Sequence, residues 1–197
     1  MSSGGFIFLE VDGEGSPTPI SALYAVFRRS ALASDLHVQE LARSDLDDGL
    51  EVERHVPADV LAAFQEQLGA PVYDQTRLVV GTIERGIYAV PTTAEAICVG
   101  SFPLGGSGCV RPTRHGVCVD YDAADDDSSF LLYGIVGDDV ASVEAVVGGQ
   151  TREAELGENG YRLEVPDHGP DQLQELILHF HGGATDRLNL HIPNPLK

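Results

Sequence analysis

Apolar and polar residues alternate along the last third of the chain with the period expected of β-strands. The alternation is clearest at Arg162–Val165 and at Leu188–Ile192, where every second residue is apolar. Successive side chains of a strand point to opposite faces of a sheet, so this pattern predicts strands with one buried face. Turn-forming residues separate six predicted strands: 129–136, 141–147, 151–156, 161–165, 173–180 and 186–192. Their short spacing predicts an antiparallel β-sandwich-like part over residues 129–197.

Three shorter apolar runs lie upstream, where glycine and proline divide the chain. They are Leu78–Thr82, Ile87–Val90 and Ile97–Val99. Short runs rich in β-branched residues predict strands, and the short connections between them predict a β-meander. A glycine-rich loop around residues 105–108 closes this meander.

The N-terminal residues place their apolar positions at helical spacing instead. Residues 19–29 and 57–68 are predicted to be helices, and a shorter helix is predicted over Val38–Arg43. Pro57 suits the first turn of the last helix, and Gly69 suits the left-handed position after its end. The predicted fold class is therefore α+β and β-rich, with N-terminal helices packed on a β-meander, followed by an antiparallel β-sandwich-like part.

Two parts are predicted along the chain, residues 1–128 and residues 129–197. The boundary is placed in the polar run Asp122–Ser128, because such runs are typical of linkers. The two parts can share one core and behave as one unit.

Acidic residues outnumber basic residues by more than two to one. The 197 residues include 31 Asp and Glu against 12 Lys and Arg, which gives a net charge of −19. A field of this sign repels phosphate backbones and anionic lipids, so it argues against nucleic acid and favours cationic partners or divalent ions. No run approaches the ~20 apolar residues that cross a bilayer, so no membrane insertion is expected.

Two histidines separated by one residue suggest a metal site near the C-terminus. His179 and His181 lie on a predicted strand, so alternation would place both imidazoles on one face, about 6–7 Å apart. Asp186 and His191 follow on the next predicted strand and could complete a zinc site, which needs three or four such ligands. The competing interpretation is the solvent-facing side of a sheet that ends in a glycine turn.

A second possible metal site is the acidic run that precedes the predicted boundary. It contains Asp120, Asp122, Asp125 and Asp127. Closely spaced carboxylates offer the oxygen ligands that calcium prefers, although the run lacks the spacing of an EF-hand loop. The competing interpretation is a solvated linker.

Several segments follow one another in an order that resembles a known group of domains. They are Phe27–Arg29, Asp74 with Arg77, Tyr88–Pro91, Ile97–Val99, the glycine loop to Cys109, Leu132–Val136, Asp138 and Val140–Val143. This order is similar to that of a poorly characterised group of extracytoplasmic domains from high-GC Gram-positive bacteria. The resemblance implies export and a disulfide between Cys98 and Cys109, and it implies no activity.

The three cysteines bear on both stability and localisation. Cys98, Cys109 and Cys118 allow three single pairings. The flexible glycine loop lets the first two approach, and their disulfide would stabilise the fold by about 3 kcal/mol. Cys118, between Val117 and Val119, is predicted to be a buried thiol. The N-terminus lacks the basic region of a secretory signal, whereas the cysteine usage and the resemblance favour an extracytoplasmic location.

No motif specifies a nucleophile together with its base, so no catalytic residue is assigned and no cofactor is expected. The function expected from the sequence is a non-catalytic protein-interaction or structural module of the cell envelope or of a secreted assembly. It would act through a protein partner or through self-association. Leu188–Ile192 is the predicted edge strand, because Pro193 and Pro195 would stop pairing beyond it. The alternative is a metal-dependent hydrolase or metal-binding protein that uses His179 and His181 with calcium or zinc.

Overall fold

The computed structural model describes residues 4–5, 68–94, 96–101, 107–110, 118–123 and 128–190. Strands dominate these residues, and two single-turn 3-10 helices lie at Tyr73–Gln75 and Pro170–Gln172. The strands are β1 (Gly4–Gly5), β2 (Arg77–Thr82), β3 (Arg85–Pro91), β4 (Ile97–Ser101), β5 (Ser107–Val110), β6 (Cys118–Ala123), β7 (Phe130–Ile135), β8 (Val140–Val147), β9 (Gln150–Glu153), β10 (Glu155–Leu156), β11 (Gly160–Val165), β12 (Leu173–Phe180) and β13 (Thr185–Asn189).

The strands form three antiparallel sheets. The meander sheet has the order β2-β3-β4-β5, and the central sheet has the order β1-β6-β7-β11-β10. The C-terminal sheet has the order β13-β12-β8-β9. Every pairing between neighbouring strands is antiparallel.

The predicted α+β class is wrong for the residues that the structure describes. Strands account for 63% of them and helical turns for 7%, and no N-terminal helix is among them. The cores form between sheets, because the described sequence alternates with period two or is apolar throughout a strand. The helices predicted over 19–29 and Val38–Arg43, and nearly all of the helix predicted over 57–68, lie outside the described residues.

The central sheet is buried on both of its faces at β7. Phe130 and Leu132 join the core that the central sheet shares with the C-terminal sheet. Tyr133 and Ile135 point the other way and join the core shared with the meander sheet. This explains the uninterrupted apolar sequence of β7, since a strand covered on both faces has no polar side.

The C-terminal sheet buries only one face within the described residues. Val143, Ala145 and Val147 of β8 pack inward together with Leu176 and Leu178 of β12. The residues between them face outward and include polar side chains together with the apolar Val146 and Ile177. Full burial of a side chain such as Leu or Val contributes about 1.5–3 kcal/mol, so this inward row dominates the stability of the sheet.

Most predicted strands are confirmed, and two segments differ. The strand predicted over 151–156 is broken at Ala154, where the chain passes from β9 in the C-terminal sheet to β10 in the central sheet. The polar run Asp122–Ser128, predicted as a linker, begins inside β6, where Asp122 pairs with Leu131. Strands from both sides of residue 128 therefore share the central sheet, while the division into two parts remains a prediction.

Candidate functional site

β13 forms one edge of the C-terminal sheet, and its backbone groups alternate between facing β12 and facing away from it. Phe180 donates its N–H to the Ala184 carbonyl at 2.9 Å, and Leu190 donates to the Gln174 carbonyl at 2.9 Å. Antiparallel ladders alternate, so these bonds place the N–H and C=O groups of even-numbered β13 residues toward β12. The N–H and C=O groups of Thr185, Arg187 and Asn189 consequently point away from β12. No described strand pairs with this side of β13.

One of the three outward N–H groups already has a partner. The Asp186 Oδ1 atom accepts a hydrogen bond of 2.9 Å from the backbone N–H of Arg187. Asp186 pairs with Leu178 across the ladder, so its side chain starts from the inward face of the sheet. Its carboxylate thus caps an edge donor that a neighbouring strand would otherwise bind.

A chain of polar contacts crosses the outer face of the C-terminal sheet. His179 Nε2 lies 3.0 Å from Glu144 Oε2, and His179 Nδ1 lies 3.3 Å from the Thr185 hydroxyl. The three residues belong to β12, β8 and β13. Both ring nitrogens of His179 therefore have protein partners, so a metal bound at either nitrogen would have to displace one of them.

A second pair of charges covers an apolar residue on the same face. Arg187 donates to Glu175 at 2.6 Å, with the Glu175 side chain only 19% exposed. In register, Ile177 lies between Glu144 on β8 and Arg187 on β13, and it is 4% exposed. The polar chain and the ion pair flank Ile177, so the outer face combines charged side chains with a covered apolar position.

The residues predicted to bind zinc do not come together where the structure describes them. β12 ends at Phe180, so His181 lies in the exposed turn and the alternation argument does not extend to it. Asp186 begins on the opposite face of the sheet from His179, and His191 lies outside the described residues. Among the described residues, no group of three or more His, Cys, Asp and Glu side chains is arranged to hold a metal ion.

The residues predicted to bind calcium fall partly in β6. The backbones of Asp120 and Asp122 pair with Tyr133 and Leu131, so these two residues belong to the central sheet rather than to a linker. Asp125 and Asp127 lie outside the described residues. The proposed calcium site therefore remains a prediction.

The structure agrees with the expected disulfide between Cys98 and Cys109. The two residues are directly opposite each other on β4 and β5, with Cα atoms 3.9 Å apart. Cys98 is fully buried and Cys109 is half-buried. A disulfide of this kind is compatible with an extracytoplasmic location, where structural disulfides persist. Cys118 lies in β6 opposite Ile135, and the burial of its thiol remains a prediction.

Asp167, in the segment after β11, has a clearly lowered pKa. Arg152 donates to the Asp167 carboxylate at 2.9 Å, and His168 Nδ1 lies 3.0 Å from it. The hydrogen bond from Arg152, and then that from His168, lower the pKa of Asp167 from 3.8 to about 2. Asp167 is exposed, so this cluster ties β9 to the segment after β11 without forming a buried site.

Sequence reasoning missed Glu144, Thr185 and Glu175 as neighbours of the predicted site. Thr185 could have been found, because the short turn after β12 sets which residues of β13 lie opposite which residues of β12. Glu144 is 35 residues from His179, and the β8–β12 pairing contains two register shifts. Those shifts have no local signal in the sequence, so the contact between His179 and Glu144 could not be predicted from it.

Comparisons with known proteins identify no relative of this chain. No protein-family model matches the chain, and no curated protein or solved structure is significantly similar to it. Within the described residues, no helix has the length and apolar character needed to span a membrane. Function is therefore inferred from the geometry of the described strands.

Proposed function

We propose that this protein is a non-catalytic interaction module of a cell-envelope or secreted assembly that binds a protein partner along the outer edge of β13, which no described strand pairs. The observation that carries the proposal is the row of outward backbone groups at Thr185, Arg187 and Asn189. An extended segment of a partner can pair with such a row and extend the sheet. The binding region predicted at Leu188–Ile192 moves upstream, because the strand runs over Thr185–Asn189.

Comparison of the sheet edges favours β13. β1 and β10 contain two residues each, and the β2–β3 pairing contains a register shift. β5 and β9 are four residues long, and after Ala154 the chain leaves β9 for the central sheet. β13 has five residues in regular register with β12. A long, regular edge gives an added strand more hydrogen bonds than a short or bulged one.

Two properties of the whole chain support a role in the cell envelope or a secreted assembly and a partner with a cationic surface. The disulfide between Cys98 and Cys109 supports a role in an oxidising compartment. The net charge of −19 supports a partner with a cationic surface, because complementary fields steer association. The resemblance to extracytoplasmic domains points in the same direction.

The alternative function, a metal-dependent hydrolase or metal-binding protein, finds less support. It would require His179 to give up its contact with Glu144 or with Thr185. It would also require ligands beyond His179 and His181, and no described group supplies three. The edge of β13 needs no rearrangement of the outer face and is therefore preferred.

A pair of proline substitutions tests the proposal. The N–H of Asn189 points outward from β13, so Asn189→Pro removes an edge donor without removing a bond to β12. Thr151→Pro is the matched control, because Ala154 donates to the Val143 carbonyl and the N–H of Thr151 therefore points outward from β9. We expect both variants to fold, with small shifts in Tm.

The measurement is capture of partner proteins from the envelope and secreted fractions of the source cells, with wild type and both variants as bait. A partner retained by wild type and by Thr151→Pro, and lost with Asn189→Pro, supports the β13 edge. A partner retained equally by Asn189→Pro, in a bait with unchanged melting, would exclude this edge as the binding site.

A further inference from the structure

We propose that Asp186 makes the β13 edge selective for an extended partner segment that carries a basic side chain opposite it. This inference rests on the proposed function, because it names the partner chemistry of the same edge. Its starting point is the hydrogen bond from the Arg187 N–H to Asp186 Oδ1. Arg187 is the middle residue of the five in β13, so a strand added along the whole edge meets this bond.

Strand addition changes the surroundings of the Asp186 carboxylate. The carbonyl oxygen of an added strand needs the Arg187 N–H, so the bond from that N–H to the carboxylate must break. The carboxylate then lies beside a partner backbone and loses a charge-assisted hydrogen bond. A lysine or arginine opposite Asp186 replaces the lost bond with an ion pair, whereas a neutral or acidic residue does not. Replacing the bond from the Arg187 N–H by an ion pair therefore favours partner segments with a basic residue over neutral and acidic segments.

The face of the sheet adds a second requirement. Asp186 shares its face with Leu188, which is half-buried and packs against the core between the central and C-terminal sheets. Side chains two positions apart on an added strand share one face. A fitting segment thus carries a basic residue opposite Asp186 and an apolar residue two positions away, opposite Leu188.

A second copy of this chain meets the requirement poorly. In an antiparallel pair of β13 strands related by a two-fold axis, opposing residues lie on the same face of the sheet. Arg187 is on the face opposite to Asp186, so no such register brings Arg187 against Asp186. Each copy also carries a net charge of −19, which opposes association of two copies. A cationic partner segment is therefore the occupant that the edge fits.

Three capped seven-residue peptides test the inference directly. In each peptide threonine and valine alternate, with valine two positions to either side of the centre. The central residue is lysine, glutamine or glutamate. Binding to the folded full chain is followed by NMR, through the amide signals of Thr185, Arg187 and Asn189. We expect the lysine peptide to bind about fivefold more tightly than the glutamine peptide, as for an exposed ion pair, and the glutamate peptide to bind most weakly. The difference should shrink as salt screens the pair.

Two variants separate the effect of Asp186 from that of overall charge. Asp186→Asn should bind the lysine and glutamine peptides equally. Glu153→Gln removes one charge from β9, at the other edge of the same sheet, and should keep the lysine preference. In the protein alone, the Arg187 amide should exchange with solvent severalfold faster in Asp186→Asn than in wild type, because the cap is weakened.

The outcomes distinguish the inference from the function on which it rests. Equal binding of the lysine and glutamine peptides to wild type, with shifts at the β13 amides, would overturn the selectivity and leave strand binding intact. Absence of shifts at β13 with every peptide would overturn both. An Arg187 amide that exchanges equally in wild type and Asp186→Asn would exclude the cap itself.

Discussion

Asp167 shows how single side chains tie the rim of the sandwich together. Its carboxylate lies between Arg152 on β9 and His168, which follows it in the chain. These contacts favour the charged form of Asp167 and lower its pKa from 3.8 to about 2. A group with a lowered pKa in the folded state stabilises the fold above its unfolded pKa and loses this effect as the pH falls through the folded pKa.

The prediction for Asp167→Asn follows from the lowered pKa of Asp167 in the folded state. The variant should melt slightly below wild type at pH 7 and at pH 5, where Asp167 is charged in both the folded and the unfolded state. The gap should narrow between about pH 4 and pH 2 and close below pH 2. Thermal melts of both proteins across this range provide the measurement. Asp171→Asn removes a charge from another exposed aspartate and is the matched control for the loss of one negative charge. A gap for Asp167→Asn that stays constant down to pH 2 would contradict the assignment.

Residue-level predictions succeeded where they depended on neighbours in sequence. The Cys98–Cys109 pairing rested on the resemblance and on a short glycine-rich loop that lets the two cysteines approach, and the structure agrees with it. For the histidine pair, the two-residue period does not extend to His181, which lies one residue beyond the end of β12, and the metal site itself stays a prediction. Asp186 could be assigned to β13, but its cap on the next N–H depends on a side-chain rotamer that the sequence does not specify.

At the scale of elements, the turn between β10 and β11 packs tightly against β2 of the meander sheet. A Cβ atom at Gly157 would overlap the Val79 carbonyl oxygen on β2, and one at Gly160 would overlap the Val79 side chain. Nearby, Arg85 pairs with Glu164 at 2.9 Å, which ties the β2–β3 hairpin to β11. Close backbone approach of this kind requires glycine.

We predict that Gly157→Ala destabilises the protein by about 1–3 kcal/mol, because an added methyl group in a packed contact forces the backbone to shift. Gly182→Ala is the matched control, since a Cβ atom there meets nothing within 4 Å. Urea denaturation of both variants measures the difference. Equal stability of the two variants would contradict the close packing of this turn on β2.

The hydrophobic pattern predicted most of the strands but not how they are assembled. β12 was predicted with its observed bounds, Leu173–Phe180, because its apolar run is flanked by clear turn signals. β6 was missed because Asp120 and Asp122 made its sequence appear to be a solvated run. Alternation shows which residues face a core, but it does not show that β9 and β10 belong to different sheets. The three-sheet arrangement depends on pairings between distant segments, such as β7 with β11.

On the scale of the whole molecule, the disulfide links stability to localisation. Cys98 and Cys109 are 11 residues apart in sequence and join β4 to β5 at the edge of the meander sheet. Closing a loop of this length restricts the unfolded chain and stabilises the fold by about 3 kcal/mol. A protein that works in an oxidising compartment keeps this contribution, whereas a reducing compartment would remove it.

The double variant Cys98→Ser/Cys109→Ser should therefore unfold at lower urea concentration than wild type, with a loss of about 3 kcal/mol. Cys118→Ser is the matched control, because it removes a cysteine that takes no part in the disulfide. Wild type treated with reductant should lose as much stability as the double variant, and the double variant should not respond to reductant. Mass spectrometry of alkylated, non-reduced peptides from the protein purified from its own cells gives the redox state directly. A linked Cys98–Cys109 peptide supports the extracytoplasmic role, whereas alkylation of both residues would contradict the proposed secreted or envelope assembly.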